Sequence, residues 1–106
     1  MRIEVLYILD CPHYPAAVAE LRKVLAIEKI SASISEVLIA NVHMAEALKF
    51  RGSPTIRVNG RDITDEPESQ HFAVSCRLYP GEKQPGVPPA EMIRRALREA
   101  IRGENP

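Results

Sequence analysis

Near the start of the chain, Ile3, Val5, Leu6, Tyr7, Ile8 and Leu9 form a nearly unbroken apolar run. Such a run, with no helical spacing, predicts a strand buried on both faces. It stops at Asp10-Cys11-Pro12-His13-Tyr14-Pro15, and from Ala16 the period changes: Ala17, Val18, Leu21, Val24 and Leu25 form one stripe, with Glu20, Arg22, Lys23 and Glu28 elsewhere. That stripe predicts an amphipathic helix. Pro12 and Pro15 fit only in the loop and first turn, where a missing N–H costs least. Ile34–Ile39 reads as a second strand, and Asn41 can cap a second helix running to about Phe50, with Gly52 as its stop. Thr55–Val58 and Arg61–Ile63 flank Asn59-Gly60, the two-residue signal of a type I′ hairpin. Ile93, Ala96, Leu97, Ala100 and Ile101 then outline a closing helix, entered through Pro88-Pro89 and left at Gly103. The predicted order is β-α-β-α-β-β-α.

With 106 residues and 45% hydrophobic composition, the chain can build one compact core, so a single domain over residues 1–106 is expected. Residues of about 65–88 form an insert between the last strand and the last helix, and its prolines 80, 85, 88 and 89 with Gly81 and Gly86 mark a stiff, irregular connection. Fourteen basic and fourteen acidic side chains cancel, so no field of one sign would collect nucleic acid or an anionic membrane surface. No apolar run approaches the roughly 18 residues that signal a membrane span, and the first residues lack the pattern of a secretory leader. The cytoplasm is the default expectation. There, two cysteines far apart in the chain are expected to be reduced unless redox or metal chemistry uses them.

The chemistry concentrates at two places. Cys11 sits where a strand gives way to a helix, and a helix N-terminus stabilises thiolates through its unpaired N–H groups and positive dipole end. Pro54, in Gly52-Ser53-Pro54-Thr55-Ile56, opens the third strand. Together with the element order, these motifs resemble the thioredoxin-like superfamily over residues 2–64 and 88–102. The resemblance implies an α/β fold with a central mixed four-stranded sheet and an insert before the last helix. It also implies a cis Pro54 lying against the loop of Cys11, and an insert that can approach the same side. Disulfide oxidoreductases of this family use a Cys-x-x-Cys motif, Cys-Pro-His-Cys among its variants; here Tyr14 takes the fourth position. No disulfide can form within the motif. Monothiol members typically rely on glutathione, on a distant cysteine, or have no redox turnover.

Cys11 and Cys76 are therefore the candidate reacting groups, with Pro12, His13, Tyr14, Ser53, Pro54 and Arg77 as candidate substrate-contacting residues. Each has a plainer alternative. Cys11 or Cys76 can fill space as small hydrophobes. Tyr14 can hydrogen-bond the Cys11 sulfur or simply pack; His13 can donate a proton from an exposed loop or be a solvated bystander. Arg77 can hold a glutathione-like carboxylate, favour a neighbouring thiolate, or be a solvated strand residue. The alternation in Val74-Ser75-Cys76-Arg77-Leu78-Tyr79 suits a short extra strand with Val74, Cys76 and Leu78 on one face. Should the two sulfurs meet, closing a loop of about 65 residues would stabilise the oxidised form by about 4 kcal/mol before strain.

The expected function is thiol–disulfide or glutathione-linked exchange with a protein or small-molecule thiol as partner, with no resident cofactor and no metal assigned. Two alternatives stand beside it. One is a non-catalytic binding module of the same fold. The other is a soft-metal thiol protein related to organomercurial lyase, whose thioredoxin-like part also carries two widely separated cysteines and an aspartate three positions after the first; that position is Tyr14 here. His13 or His71 would complete a mixed metal site. His43 receives no role. The run Glu91, Arg94, Arg95, Arg98, Glu99, Arg102 reads as a solvated helix face with local ion pairs.

Overall fold

The computed structural model describes residues 1–64, 74, 75, 77, 79 and 86–104. Its elements follow the predicted order: β1 (Arg2–Tyr7), α1 (Tyr14–Ile27), β2 (Ser33–Leu38), α2 (Val42–Ala47), β3 (Thr55–Val58), β4 (Arg61–Asp62) and α3 (Ala90–Glu104). The strands form one mixed sheet ordered β2-β1-β3-β4. β1 and β2 are parallel, in register from Arg2↔Ser33 to Tyr7↔Leu38, with α1 supplying the crossover that a parallel pair requires. β3 runs antiparallel to β1, pairing Leu6 with Thr55 and Ile3 with Val58, and β4 returns antiparallel to β3. Asn59 (φ 52°) and Gly60 (φ 83°) both take the left-handed conformation that a type I′ turn demands.

Alternation along β1 sends Ile3 and Val5 to one face and Leu6 to the other. Ile3 and Val5 join Ile56 and Val58 of β3 beneath Leu21, Val24 and Leu25 of α1 and Ile93 and Leu97 of α3. Leu6 packs with Ile39, Ala45 of α2 and Phe50. Helices thus cover both faces, which is why β1 reads as a nearly continuous apolar run interrupted only at Glu4.

The ends of the elements differ from expectation. α2 stops at Ala47, well before Gly52. Phe50 N donates to Ala45 O (2.8 Å) and Lys49 N to Glu46 O (3.2 Å), with Lys49 at φ 54°. α1 ends likewise: Ile30 N donates to Leu25 O, Lys29 N to Ala26 O, and Lys29 sits at φ 54°. These are Schellman closures built on lysine, and the apolar residue that follows each one, Ile30 or Phe50, packs inward where the motif favours it. The Asn41 cap is as predicted, its Oδ1 accepting from Met44 N at 2.9 Å. β4 is two residues long, and α3 continues through Gly103 to Glu104. No helix among the described residues is long and apolar enough to cross a membrane.

Candidate functional site

β1 ends at Tyr7 and the chain turns into α1 through Asp10, which adopts a left-handed φ of 59°. Cys11 N donates to Ile8 O at 3.3 Å and Tyr14 N to Cys11 O at 3.4 Å, so the thiol sits inside a closed turn directly ahead of the helix. Cys11 carries a free thiol and is 7% exposed, while the neighbouring Leu9 is 74% exposed. His13 is the N-cap of α1, yet no side chain caps this end, Pro15 lies in the first turn, and no acidic residue occupies that turn. The positive end of the helix is therefore not neutralised from within its own sequence.

Tyr14 is the first residue of α1. Its ring stacks on Tyr7, with centroids 4.0 Å apart and planes at 14°, and its hydroxyl donates to Glu36 Oε1 on β2. Burial, reinforced by the hydrogen bond and charge of Glu36, pushes the phenol well above its ordinary titration range. Of the two expected roles, the geometry displays packing and a polar tie between α1 and β2.

The second motif lies beside the first. The Ser53–Pro54 peptide bond is cis, as the resemblance implies. Ser53 is fully buried and its Oγ accepts from Ile8 N at 3.1 Å, joining this loop to the turn that carries Cys11. Its backbone also holds the insert: Ser53 N donates to Ser75 O (2.7 Å) and Arg77 N donates to Ser53 O (2.9 Å). Gly52, at φ 124°, admits the Arg77 main chain; a Cβ there would fall 2.9 Å from Arg77 Cβ.

Arg77 corrects an expectation. It is 5% exposed, not a solvated strand residue. Its guanidinium donates to Asp62 Oδ2 (2.8 Å), Thr64 Oγ1 (2.7 Å) and Thr55 Oγ1 (3.2 Å), and stands 5.2 Å from the centroid of the Tyr79 ring. The Tyr79 hydroxyl donates to Pro54 O. At the described positions of the segment, Arg77 and Tyr79 are buried and Val74 is exposed. Burial of a guanidinium is tolerable where acceptors surround it, as here. Cys76 and His71 lie outside the described residues.

The far end of the insert reaches the site as well. Gly86 is buried against the His13 imidazole, so closely that a Cβ on Gly86 would fall 2.1 Å from Cδ2. His13 is consequently half-buried rather than part of an exposed loop, while Pro12 is exposed. No known protein family matches the chain, nor does any curated protein or solved structure.

The site therefore brings together Cys11, His13, Tyr14, Ser53 and Pro54 with Ser75, Arg77 and Gly86 of the insert. Asp62, Thr55, Thr64, Tyr79, Glu36 and Tyr7 were not legible as part of it. Most of their contacts join residues far apart in the chain, and although Thr55 stands in Gly52-Ser53-Pro54-Thr55-Ile56, nothing in that motif signals its bond to Arg77. Gly52 was visible as a glycine, but its role is close approach to Arg77 and not the end of α2. An open cleft of about 300 Å³ lined by residues including Val58, Arg61, Ala96 and Ala100 lies at the other end of β3, away from Cys11.

Proposed function

We propose that this chain is a thioredoxin-like thiol protein in which Cys11 carries out thiol–disulfide or glutathione-linked exchange. The strand order β2-β1-β3-β4 with β3 antiparallel, and the division of α1 and α3 from α2 across the sheet, support the fold assignment. The observation that carries the functional reading is the position of Ser53. Its hydroxyl holds Ile8, three residues before Cys11, and its backbone holds Ser75 and Arg77, the chain neighbours of Cys76.

In the proposed reaction the Cys11 thiolate attacks one sulfur of a disulfide. The S–S bond breaks, a mixed disulfide forms on Cys11, and the departing thiolate takes a proton from solvent. The Cys76 thiolate then attacks the Cys11 sulfur and releases the remaining product, or a glutathione thiolate attacks the substrate-derived sulfur of the mixed disulfide and Cys11 is the leaving group. With Cys76 the protein is left oxidised and two external thiols return it to the start; with glutathione, Cys11 leaves as the free thiol and glutathione departs in the new disulfide. The Tyr14 phenol is no substitute for the second thiol. A non-catalytic binding module of the same fold is the second reading, and the 7% exposure of Cys11 favours it.

Intact mass separates the two. The native protein, Cys11→Ser and Cys76→Ser are equilibrated across ratios of reduced to oxidised glutathione. Loss of two hydrogens in the native protein alone, without dimer, supports an internal pair. A glutathione adduct on Cys11 supports the external route. Thiols left unmodified at every ratio overturn the exchange reading and leave the binding module.

A further inference from the structure

The geometry points to Arg77 as the residue that positions the Cys11 turn, acting through Ser53; the consequence for chemistry rests on Cys11 being the reacting atom, as proposed above.

A buried guanidinium requires nearly every N–H to find an acceptor, and this one distributes its donors between two separate pieces of chain. Asp62 and Thr64 belong to the end of the β3–β4 hairpin, whereas Thr55 belongs to the segment that leaves Pro54. The bonds run in one consistent direction. Thr55 Oγ1 accepts from Arg77 and donates to Gly52 O at 2.6 Å, and Thr64 Oγ1 accepts from Arg77 and donates to Asp62 Oδ1 at 3.0 Å. Asp62 Oδ1 also accepts from Thr64 N. Both hydroxyls can point outward only because the central group is a pure donor, and the planar fork serves the two sides at once.

The same residue grips the loop through its main chain, by the Arg77 N bond to Ser53 O and by its passage over Gly52. From Ser53 the path is short: Ser53 Oγ accepts from Ile8 N, and Ile8 O accepts from Cys11 N. Ion pairing alone would need only Asp62. The division of the fork between hairpin and loop is what fixes Pro54 and Ser53 relative to the sheet, and thereby holds the Cys11 turn closed.

The experiment compares the native protein with Arg77→Lys, which keeps the charge but not the fork, and Asp62→Asn, which keeps the shape but weakens the pair. Arg94→Gln, at the surface pair with Glu28 and Glu91, is the control. Amide exchange is followed residue by residue under native conditions, and Cys11 alkylation by iodoacetamide is read from its own peptide. Loss of charge-assisted bonds to a buried group predicts exchange at Ile8 and labelling at Cys11 faster by about 10- to 100-fold in both variants, with Val24 and Leu25 amides unchanged. Arg94→Gln leaves all of these at native values. Folded variants with native rates at Ile8 and Cys11 overturn the proposal, and so does equal acceleration at Ile8, Val24 and Leu25, which would make Arg77 a general stabiliser. Should one variant fail to fold, Thr64→Val removes a single acceptor and is held to the same criteria. Native protein inert to glutathione but with selective opening in the variants would sink the exchange reading and leave the positioning role standing.

Discussion

The apolar layer between the sheet, α1 and α3 and the polar corner around Pro54 hold this molecule by different physics. In the layer, Ile3, Val5, Leu21, Ile56, Ile93 and Leu97 are wholly buried, and burial of each such side chain contributes about 1.5–3 kcal/mol without demanding a particular direction. In the corner, Gly52–Thr55, Asp62–Thr64, Arg77 and Tyr79 are joined by hydrogen bonds, each with a net contribution of about 0.5–1.5 kcal/mol, or about 1.5–3 kcal/mol where the guanidinium donates, but with strict geometry. Among the described residues no buried side-chain polar atom lacks a partner. The layer accounts for folding; the corner accounts for where the Ser53–Pro54 loop rests against the Cys11 turn. A site built this way responds to single polar groups more than the rest of the fold does.

The comparison is broken most forcefully from the layer side. Leu21→Ala removes a fully buried side chain of α1 and is expected to cost about 2–5 kcal/mol in urea unfolding. A loss much below 1 kcal/mol would mean that the layer is not the main source of stability. Gly52→Ala strikes the corner. It forces an L-residue to φ 124° and drives a methyl group into Arg77, at an expected cost of about 1–3 kcal/mol. Its mark is selectivity: amide exchange at Ile8 and Arg77 should quicken more than at Val24, and uniform acceleration would erase the distinction between the two regions.

Tyr14 stands at the border and sharpens the contrast at high pH. The fold favours its neutral form, by burial and through the bond to Glu36, so the associated stability is fully present below about pH 10 and is lost as pH rises toward the elevated folded-state titration. Melting temperatures of native protein and Tyr14→Phe, followed from about pH 8 to about pH 11, should show a steeper alkaline decline in the native protein. Parallel curves would show that Tyr14 ionises as it does in the unfolded chain. The Tyr7 stack survives in the phenylalanine variant, which makes this the smallest effect of the three at neutral pH.

Most elements were readable because their signals are local. The apolar run at Ile3–Leu9, the stripe ending at Leu25, the Asn41 cap and Asn59-Gly60 each describe a preference that neighbours in the chain impose on one another, and each appears in the structure at nearly the expected place, although the strand ends at Tyr7 and Leu9 is exposed. The helix ends were less readable. Lysine is an uncommon choice for the left-handed closing position, and Lys29 and Lys49 occupy it where Ile30 and Phe50 are drawn into the interior immediately afterwards. The cysteine–proline–helix motif identified the place of the candidate chemistry but not its supports.

Periodicity and turn chemistry in this sequence determined the element order, the two-sided burial of β1, the hairpin and the position of Cys11 ahead of a helix, since these follow from forces acting over a few residues. Tertiary structure alone decided that Arg77 lies inside, that Tyr14 answers to Glu36, and that Gly86 rests on His13. Arg77 is buried because Thr55, Asp62 and Thr64 converge on it from other strands and turns, and the free energy of a buried charge depends on acceptors assembled in space, whatever their separation along the chain.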